Sequence, residues 1–431
     1  MNTTAKVNIW GYMVGAVTWN ESKGYAIFEY DSSFLKKGID LSPLVLSVKT
    51  ALDRNPIFSF PALNPETYNG LPGLLADSLP DKFGNKIIES WLAQQGLNPE
   101  SFNPVQRLCY TGSRGMGALE YEPVIPIFED ASEILEIHEL IKFAKNALKK
   151  KKDLKINIHR KIPEGLKQIL KVGTSAGGAR AKAIIAYNEK TGEVRSGQIK
   201  NLPDYEYWII KFDGVTNSKL GDPKGYGRIE YAYYLMAKEC GINMSYSKLL
   251  EENGRAHFLT KRFDKEGTNK LHMQTLCAIA HFDYNDSASY SYEQAFQVIR
   301  QLKLPYSESE ELYRRMVFNV IARNQDDHTK NISFLMNESG IWSLSPAYDV
   351  TYAYNPSNIW TKRHQLSING KRDNITREDL LKLAINVNVK KPNNIINNII
   401  ETVSSWRNYA RKAGVPKEQI KAIKHTHILS I

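Results

Sequence analysis

RNQDDHTKN, residues 323–331, packs two carboxylates, an imidazole, a lysine, an arginine and three amides into nine positions. Polar surface loops are common, and Asp326, Asp327 and His328 are also metal-ligand types. Consecutive Asp326 and Asp327, however, would diverge on a regular element. The flanks are more telling. RRMVFNVIA (314–322) has the apolar spacing of a buried helix, and ISFLM (332–336) reads as a strand. The cluster therefore falls at a helix-to-strand junction, where a rigid scaffold can aim side chains.

From Asp326 to Asn331 the spacing is D-x-x-x-x-N, the arrangement of a protein-kinase catalytic loop, in which the Asp accepts the substrate hydroxyl proton and the Asn holds magnesium. ISFLM, the turn signal NESG (337–340) and IWSLSPAYD (341–349) then predict two short strands around a tight turn, ending at Asp349. A kinase needs a second Asp at that place to hold the metal on the ATP phosphates. Here the residues are YDV instead of DFG, so the position fits and the motif half fits.

The rest of the chain permits such a site. At 431 residues two or three folding units are expected. No apolar run reaches membrane-spanning length, and MNTTAKVNIWGYMVG lacks the charged-then-apolar order of a secretory signal, so a cytoplasmic protein without a membrane partner is expected. Cys109, Cys240 and Cys277 are far apart and odd in number, which argues against a disulfide framework or zinc cluster. A net charge of +11 and a pI near 9.2 call for an anionic partner, which nucleic acid, nucleotide phosphates or an acidic protein would satisfy. The densest basic run, KNALKKKKDLK (145–155), reads as a solvated helix end or linker.

Four regions separate along the chain: an N-terminal α/β part at 1–125, a helical connector at 126–169, a strand-rich part at 170–265 and a mainly helical part at 266–431. In the first, GYAIFEY (24–30) and LVLSVKT (44–50) are strand-like. KFGNKIIESWLAQQG (82–96) is a helix entered from the Pro- and Gly-punctuated NGLPGLLADSLPD (69–81). EDASEILEIHELIKFAKNALKKKK (129–152) looks helical. In the third, KVGTSAGGARAKAIIAYN (171–188) sets Gly173, Gly177 and Gly178 ahead of a strand, where backbone can approach phosphates and Lys182 adds charge. Lys211 lies in the apolar strand YWIIKFDG (207–214), where its ammonium needs a partner such as a phosphate oxygen or an escape to water. RIEYAYYLMAKECGI (228–242) is a helix candidate. SKLLEENGRAHFLTKRFD (247–264) predicts a hairpin through Asn253-Gly254.

NQDDHTKNISF and LSPAYDV, together with GTSAGGARAK, WIIKFDG, TKRFD and the early LPGLLADSLPDKFG, resemble the HipA family of bacterial serine/threonine kinases, the toxins of HipA–HipB toxin–antitoxin pairs. The resemblance spans nearly the whole chain. It implies an α+β, protein-kinase-like two-lobed fold with an extra N-terminal α/β subdomain and a mainly helical C-terminal lobe. ATP and Mg2+ are the implied cofactors, with Asp326 as catalytic base and Asn331 and Asp349 on magnesium. Lys211 is implied on the ATP phosphates, and Gly177, Gly178, Ala179, Arg180, Ala181 and Lys182 form the implied phosphate loop. Lys261, Arg262 and Phe263 would lie along the adenine, the backbone of Lys261 and Phe263 meeting its edge, with Asp264 near the ribose. His328, Lys330 and Tyr348 would line the nucleotide site. Ser175 falls where the family has an autophosphorylated, inactivating serine, and a phosphate there would repel the nucleotide.

The implied partners are a HipB-like DNA-binding antitoxin, with DNA contacted indirectly through it, and a protein substrate, aminoacyl-tRNA synthetases being the family's precedent. Arg180, Ala181 and Asp327 depart from the founding toxin, which has a glutamine, a glutamate and a small residue there, and leave the substrate open. A small-molecule phosphotransferase would use the same four residues, Asp326, Asn331, Asp349 and Lys211. A DNA-complex scaffold would use the charge and need no ATP.

Overall fold

Exposed and buried residues alternate along TAKVNI, which puts Ala5, Val7 and Ile9 on one covered face of a strand. In the computed structural model, which describes residues 3–125, 135, 137–138, 140–141, 181–199, 202–215, 225–266 and 269–431, this strand (β1, Thr4–Ile9) is joined by β2 (Tyr12–Asn20), β3 (Tyr25–Tyr30), β4 (Ile57–Phe58) and β5 (Leu119–Glu122). The antiparallel sheet has the order β4-β3-β2-β1-β5. The strand expected at LVLSVKT does not form. Ser47 accepts the amide of Thr50 at 3.1 Å and caps a helix over Val48–Asp53, so a local side-chain cap overrides the β-propensity of the valines.

The chain divides into two units. The first comprises Met1–Leu41, Leu46–Lys224 and Leu250–Met273. In it the expected helix runs over Lys82–Gln94, started by Asp81, whose carboxylate accepts the Gly84 amide at 2.6 Å. Its apolar face, Phe83, Ile87, Ile88 and Leu92, packs in one cluster with Ala183, Ile185, Trp208, Ile210 and Leu259. Those residues belong to a second antiparallel sheet: β6 (Lys182–Tyr187), β7 (Val194–Ser196), β8 (Glu206–Lys211), β9 (Ser247–Glu252) and β10 (Arg255–Lys261), in the order β7-β6-β8-β10-β9. Asn253 and Gly254, at φ +49° and +73°, make the predicted turn between β9 and β10.

The second unit comprises Ser42–Val45, Gly225–Leu249 and Gln274–Ile431 and is mainly helical. RIEYAYYLMAKECGI forms the helix Tyr226–Glu239. A capping box between Ser291 and Gln294 starts the helix Tyr292–Gln301, and the helix Tyr306–Ile321, largely buried from Glu311 onward, leads into the 323–331 loop. The hairpin predicted after that loop is present. With β11 (Lys265–Glu266), β12 (Asn269–Lys270) and β13 (His272–Thr275) preceding them in the chain, its strands are β14 (Ser333–Met336) and β15 (Trp342–Leu344), with Phe334 opposite Leu344. Cys109, Cys240 and Cys277 are free and buried, and no described helix is long and apolar enough to cross a membrane. Residues 129–134 and 142–180, with most of the predicted connector helix and the basic run, lie outside the described residues.

Candidate active site

The 323–331 loop separates its two aspartates as their adjacency predicts. Asp326 turns outward, its side chain 48% exposed, while that of Asp327 is 2% exposed. Asn331 closes a short turn over Thr329–Asn331 and donates its side-chain amide to the Asp326 carbonyl at 2.7 Å. This leaves the Asn331 amide oxygen as the atom suited to a hard cation. Thr329 pins the middle of the loop by donating to the Phe282 carbonyl at 2.7 Å. His328 Nε2 lies 3.9 Å from Asp326 Oδ1, and its ring packs at 5.7 Å on Tyr284, over which Lys330 Nζ also sits at 4.6 Å.

Asp327 carries the loop. Its carboxylate accepts from the Tyr292 hydroxyl at 2.8 Å, from His364 Nδ1 at 2.8 Å and from the Gln365 amide at 2.7 Å. Burial alone would raise this carboxyl. The His364 imidazole and these hydrogen bonds outweigh burial and hold it below the usual carboxylate range. Behind it, Asn319 donates to the Tyr292 oxygen at 3.0 Å, and Asn324 donates to Asn319 Oδ1 at 2.9 Å. His364 lies thirty-seven residues downstream of Asp327, a separation at which no spacing rule signals contact.

Tyr348 joins the loop to the residue after the hairpin. Its hydroxyl donates to the Lys330 carbonyl at 2.6 Å and is also hydrogen-bonded to Ser333 Oγ. The neighbours of these anchor points, Asn331 and Asp349, are thereby held in register. Asp349 has φ +53°, a left-handed conformation uncommon for a non-glycine residue.

In the first unit, Lys182 on β6 stands directly opposite Lys211 on β8. Cross-strand partners share a face, and like charges there repel. Lys182 is only 3% exposed, and Lys211 Nζ sits 5.7 Å from the Phe258 ring. Ala181, just ahead of β6, is buried and accepts the Phe212 amide at 3.0 Å. At the end of β10, Lys261 pairs with Glu206, and the Arg262 amide donates to the Tyr207 carbonyl at 2.9 Å.

Arg262 and Asp264 are both buried, joined by bonds of 2.9 and 2.5 Å, and the Gly117 amide donates to Asp264 at 2.8 Å. The Asp264 carboxylate thus faces protein donors. Phe263 between them is partly exposed. Beside the pair, Lys270 Nζ donates to the carbonyls of Ser113 and Gly115 at 2.8 and 3.1 Å. Ser175, Gly177, Gly178, Ala179 and Arg180 lie outside the described residues.

An antiparallel sheet with opposed lysines, then helices, an Asp loop and a hairpin followed by Asp349 make an α+β protein of the kinase-like kind. The HipA-like C-terminal domain family matches residues 174–410, more than half of the chain, and the HipA N-terminal domain family matches residues 5–122. The chain belongs to the HipA family. Among solved structures, a chain of the Shewanella oneidensis MR-1 toxin–antitoxin complex of HipA, HipB and operator DNA is similar, with TM-score 0.66 and 17% identity over 98% of this chain and 94% of that one. The Helicobacter pylori proinflammatory kinase CtkA aligns over 51% of this chain and 90% of its own, at 12% identity and TM-score 0.31, a likeness too slight to argue from. No individually curated protein matches the sequence.

Proposed function

We propose that the protein transfers the γ-phosphoryl group of ATP to a serine or threonine hydroxyl of another protein, and does so as the toxin of a HipA–HipB type pair. The observation that carries the reading is the Asn331 amide bound to the Asp326 carbonyl at 2.7 Å, with the Asp326 carboxylate exposed beside it. In this reading the acceptor oxygen bonds to the γ-phosphorus as the bond to the β,γ-bridging oxygen breaks. The hydroxyl proton passes to Asp326, and ADP leaves.

Lys182 and Lys211 hold phosphate oxygens, which also relieves their mutual repulsion across the sheet. The backbone of Lys261 and Phe263 borders the base. The Asn331 oxygen and the Asp349 carboxylate are the hard donors that would hold magnesium, an ion that takes one or two protein ligands and completes its shell with phosphates and water. Bound there, magnesium would neutralise charge on the transferring phosphoryl group. His328, Lys330 and Tyr348 shape and fix the loop that presents these groups.

Ser175 and the Gly177–Lys182 segment are the proposed phosphate loop. A phosphate on Ser175 would compete for the same donors and switch the enzyme off. A HipB-like antitoxin is the proposed partner, by analogy with the Shewanella complex. Comparing phosphorylation sites in cells expressing wild type and Asp326→Ala tests the reading and names the acceptor. Sites present only with the wild type are expected. Identical site lists would contradict it.

A further inference from the structure

The segment after Asp349, TYAYNPSNIWTKRHQ (351–365), contains no acidic residue. Both of its ends are fastened to residues flanking Asp326. At one end the Ala353 amide donates to the Arg323 carbonyl at 3.1 Å, and the Arg323 guanidinium lies 4.6 Å from the Tyr354 ring centroid. At the other, His364 and the Gln365 amide bind the two oxygens of Asp327. The loop's stem therefore brackets the exposed carboxylate at 326.

Between the stems the chain is internally built. Asn355 Oδ1 accepts the Ser357 amide at 3.0 Å, Asn358 Oδ1 accepts the Trp360 amide at 2.8 Å, and the Lys362 amide donates to the Asn358 carbonyl at 2.9 Å. This shaping holds two large apolar side chains outward, Ile359 at 70% and Trp360 at 42% exposure. Lys362 and Arg363 are exposed next to them, and Arg363 is engaged by Asp373 at 2.8 Å. Lys362, exposed and in no ion pair among the described residues, is thus the cation left for an incoming carboxylate.

A rigid loop that exposes a tryptophan beside a cation is a binding tip, because such side chains anchor interfaces when desolvated. Its position decides the occupant. Asp326 must be approached by the acceptor hydroxyl, and whatever carries that hydroxyl passes the loop rooted on either side of it. We propose that Tyr354–Arg363 is the docking element for the phosphoacceptor protein. Ile359 and Trp360 take an apolar side chain of the acceptor, and Lys362 takes a carboxylate near the phosphorylated residue. Asp327 is the positioning residue that ties this loop to Asp326. The inference rests on the phosphotransfer reading and adds the chemistry of the acceptor segment.

The test uses the full chain as wild type, an Ile359→Asp/Trp360→Ala double variant, Lys362→Glu and Asp326→Ala. Each is incubated with radiolabelled magnesium-ATP and a dialysed, phosphatase-treated bacterial extract, and labelled sites are mapped by mass spectrometry. Titration with a non-hydrolysable ATP analogue and thermal melting are run in parallel. We expect the double variant to label extract proteins at least ten-fold more slowly at limiting extract and to recover as extract is raised, with nucleotide affinity and melting temperature unchanged. Lys362→Glu should shift labelling away from sites with neighbouring acidic residues. Equal labelling by the loop variants, label confined to the enzyme itself, or parallel loss of nucleotide binding or folding in the loop variants would overturn the docking role. Absence of any label with wild type, or undiminished label with Asp326→Ala, would instead overturn the phosphotransfer reading beneath it.

Discussion

The carboxylate of Asp327 and the imidazole of His364 lie 2.8 Å apart in the interior of the helical unit, one residue from the exposed Asp326. Adjacent aspartates thus divide two tasks. One faces the acceptor in the proposed reaction, and the other fastens the backbone that presents it.

Removing the buried partner should therefore be expensive for the fold. Asp327→Ala strands the Tyr292 hydroxyl, His364 and the Gln365 amide, and a loss of about 3–5 kcal/mol is expected from urea unfolding. A change under about 0.5 kcal/mol, the range of ordinary surface substitutions, would contradict the anchoring role.

The same carboxyl has a pH signature. Burial pushes it up, but His364 and the hydrogen bonds hold it below its unfolded value, so its contribution is complete above about pH 4 and drains as the pH falls through the folded value. The stability gap between wild type and Asp327→Asn should narrow as pH is lowered below about 4. A gap that stays constant or widens there would count against the assignment.

Lys270 should act in the opposite pH range. Burial, with the Arg262 charge next in size, lowers its ammonium to about 7. Between about pH 7 and 10 the unfolded chain holds a proton that the folded chain has released, so folding stability rises with pH there, by at most about 1.4 kcal/mol per unit. Lys270→Met should remove that rise from a denaturation series at pH 7, 8 and 9. An unchanged slope would place the ammonium in solvent.

Charge opposition across β6 and β8 predicts an anion effect. Lys211→Ala should weaken binding of magnesium with a non-hydrolysable ATP analogue by ten-fold or more, about 1.4 kcal/mol, since it removes one of the two cations that face each other across the strands. Unchanged affinity by calorimetry would remove Lys211 from the proposed site.

Local signals explain what was legible in the chain. Asn253-Gly254 specifies its turn, ISFLM-NESG-IWSL its hairpin, and the spacing of Phe83, Ile87, Ile88 and Leu92 its helix face, because each is a short-range pattern. LVLSVKT misled for the same reason. Its valines favour a strand, and the decisive Ser47 cap depends on the backbone turning there. D-x-x-x-x-N pointed to Asp326 and Asn331, and the bond between them is local. Three things were not legible: the Asp327–His364–Tyr292 knot, the Arg262–Asp264 pair on Gly117, and the facing of Lys182 by Lys211. Each joins residues brought together by tertiary packing or strand register.

The most direct test compares Asp326→Ala with Asp349→Ala in the purified protein, reading magnesium-dependent ATP binding by calorimetry and phosphoryl transfer to protein by radiolabel. Asp326→Ala should bind magnesium-ATP like the wild type and transfer no phosphate, because only proton acceptance is lost. Asp349→Ala should lose both, because the proposed metal carboxylate is gone. Undiminished transfer by Asp326→Ala would contradict the account at its centre.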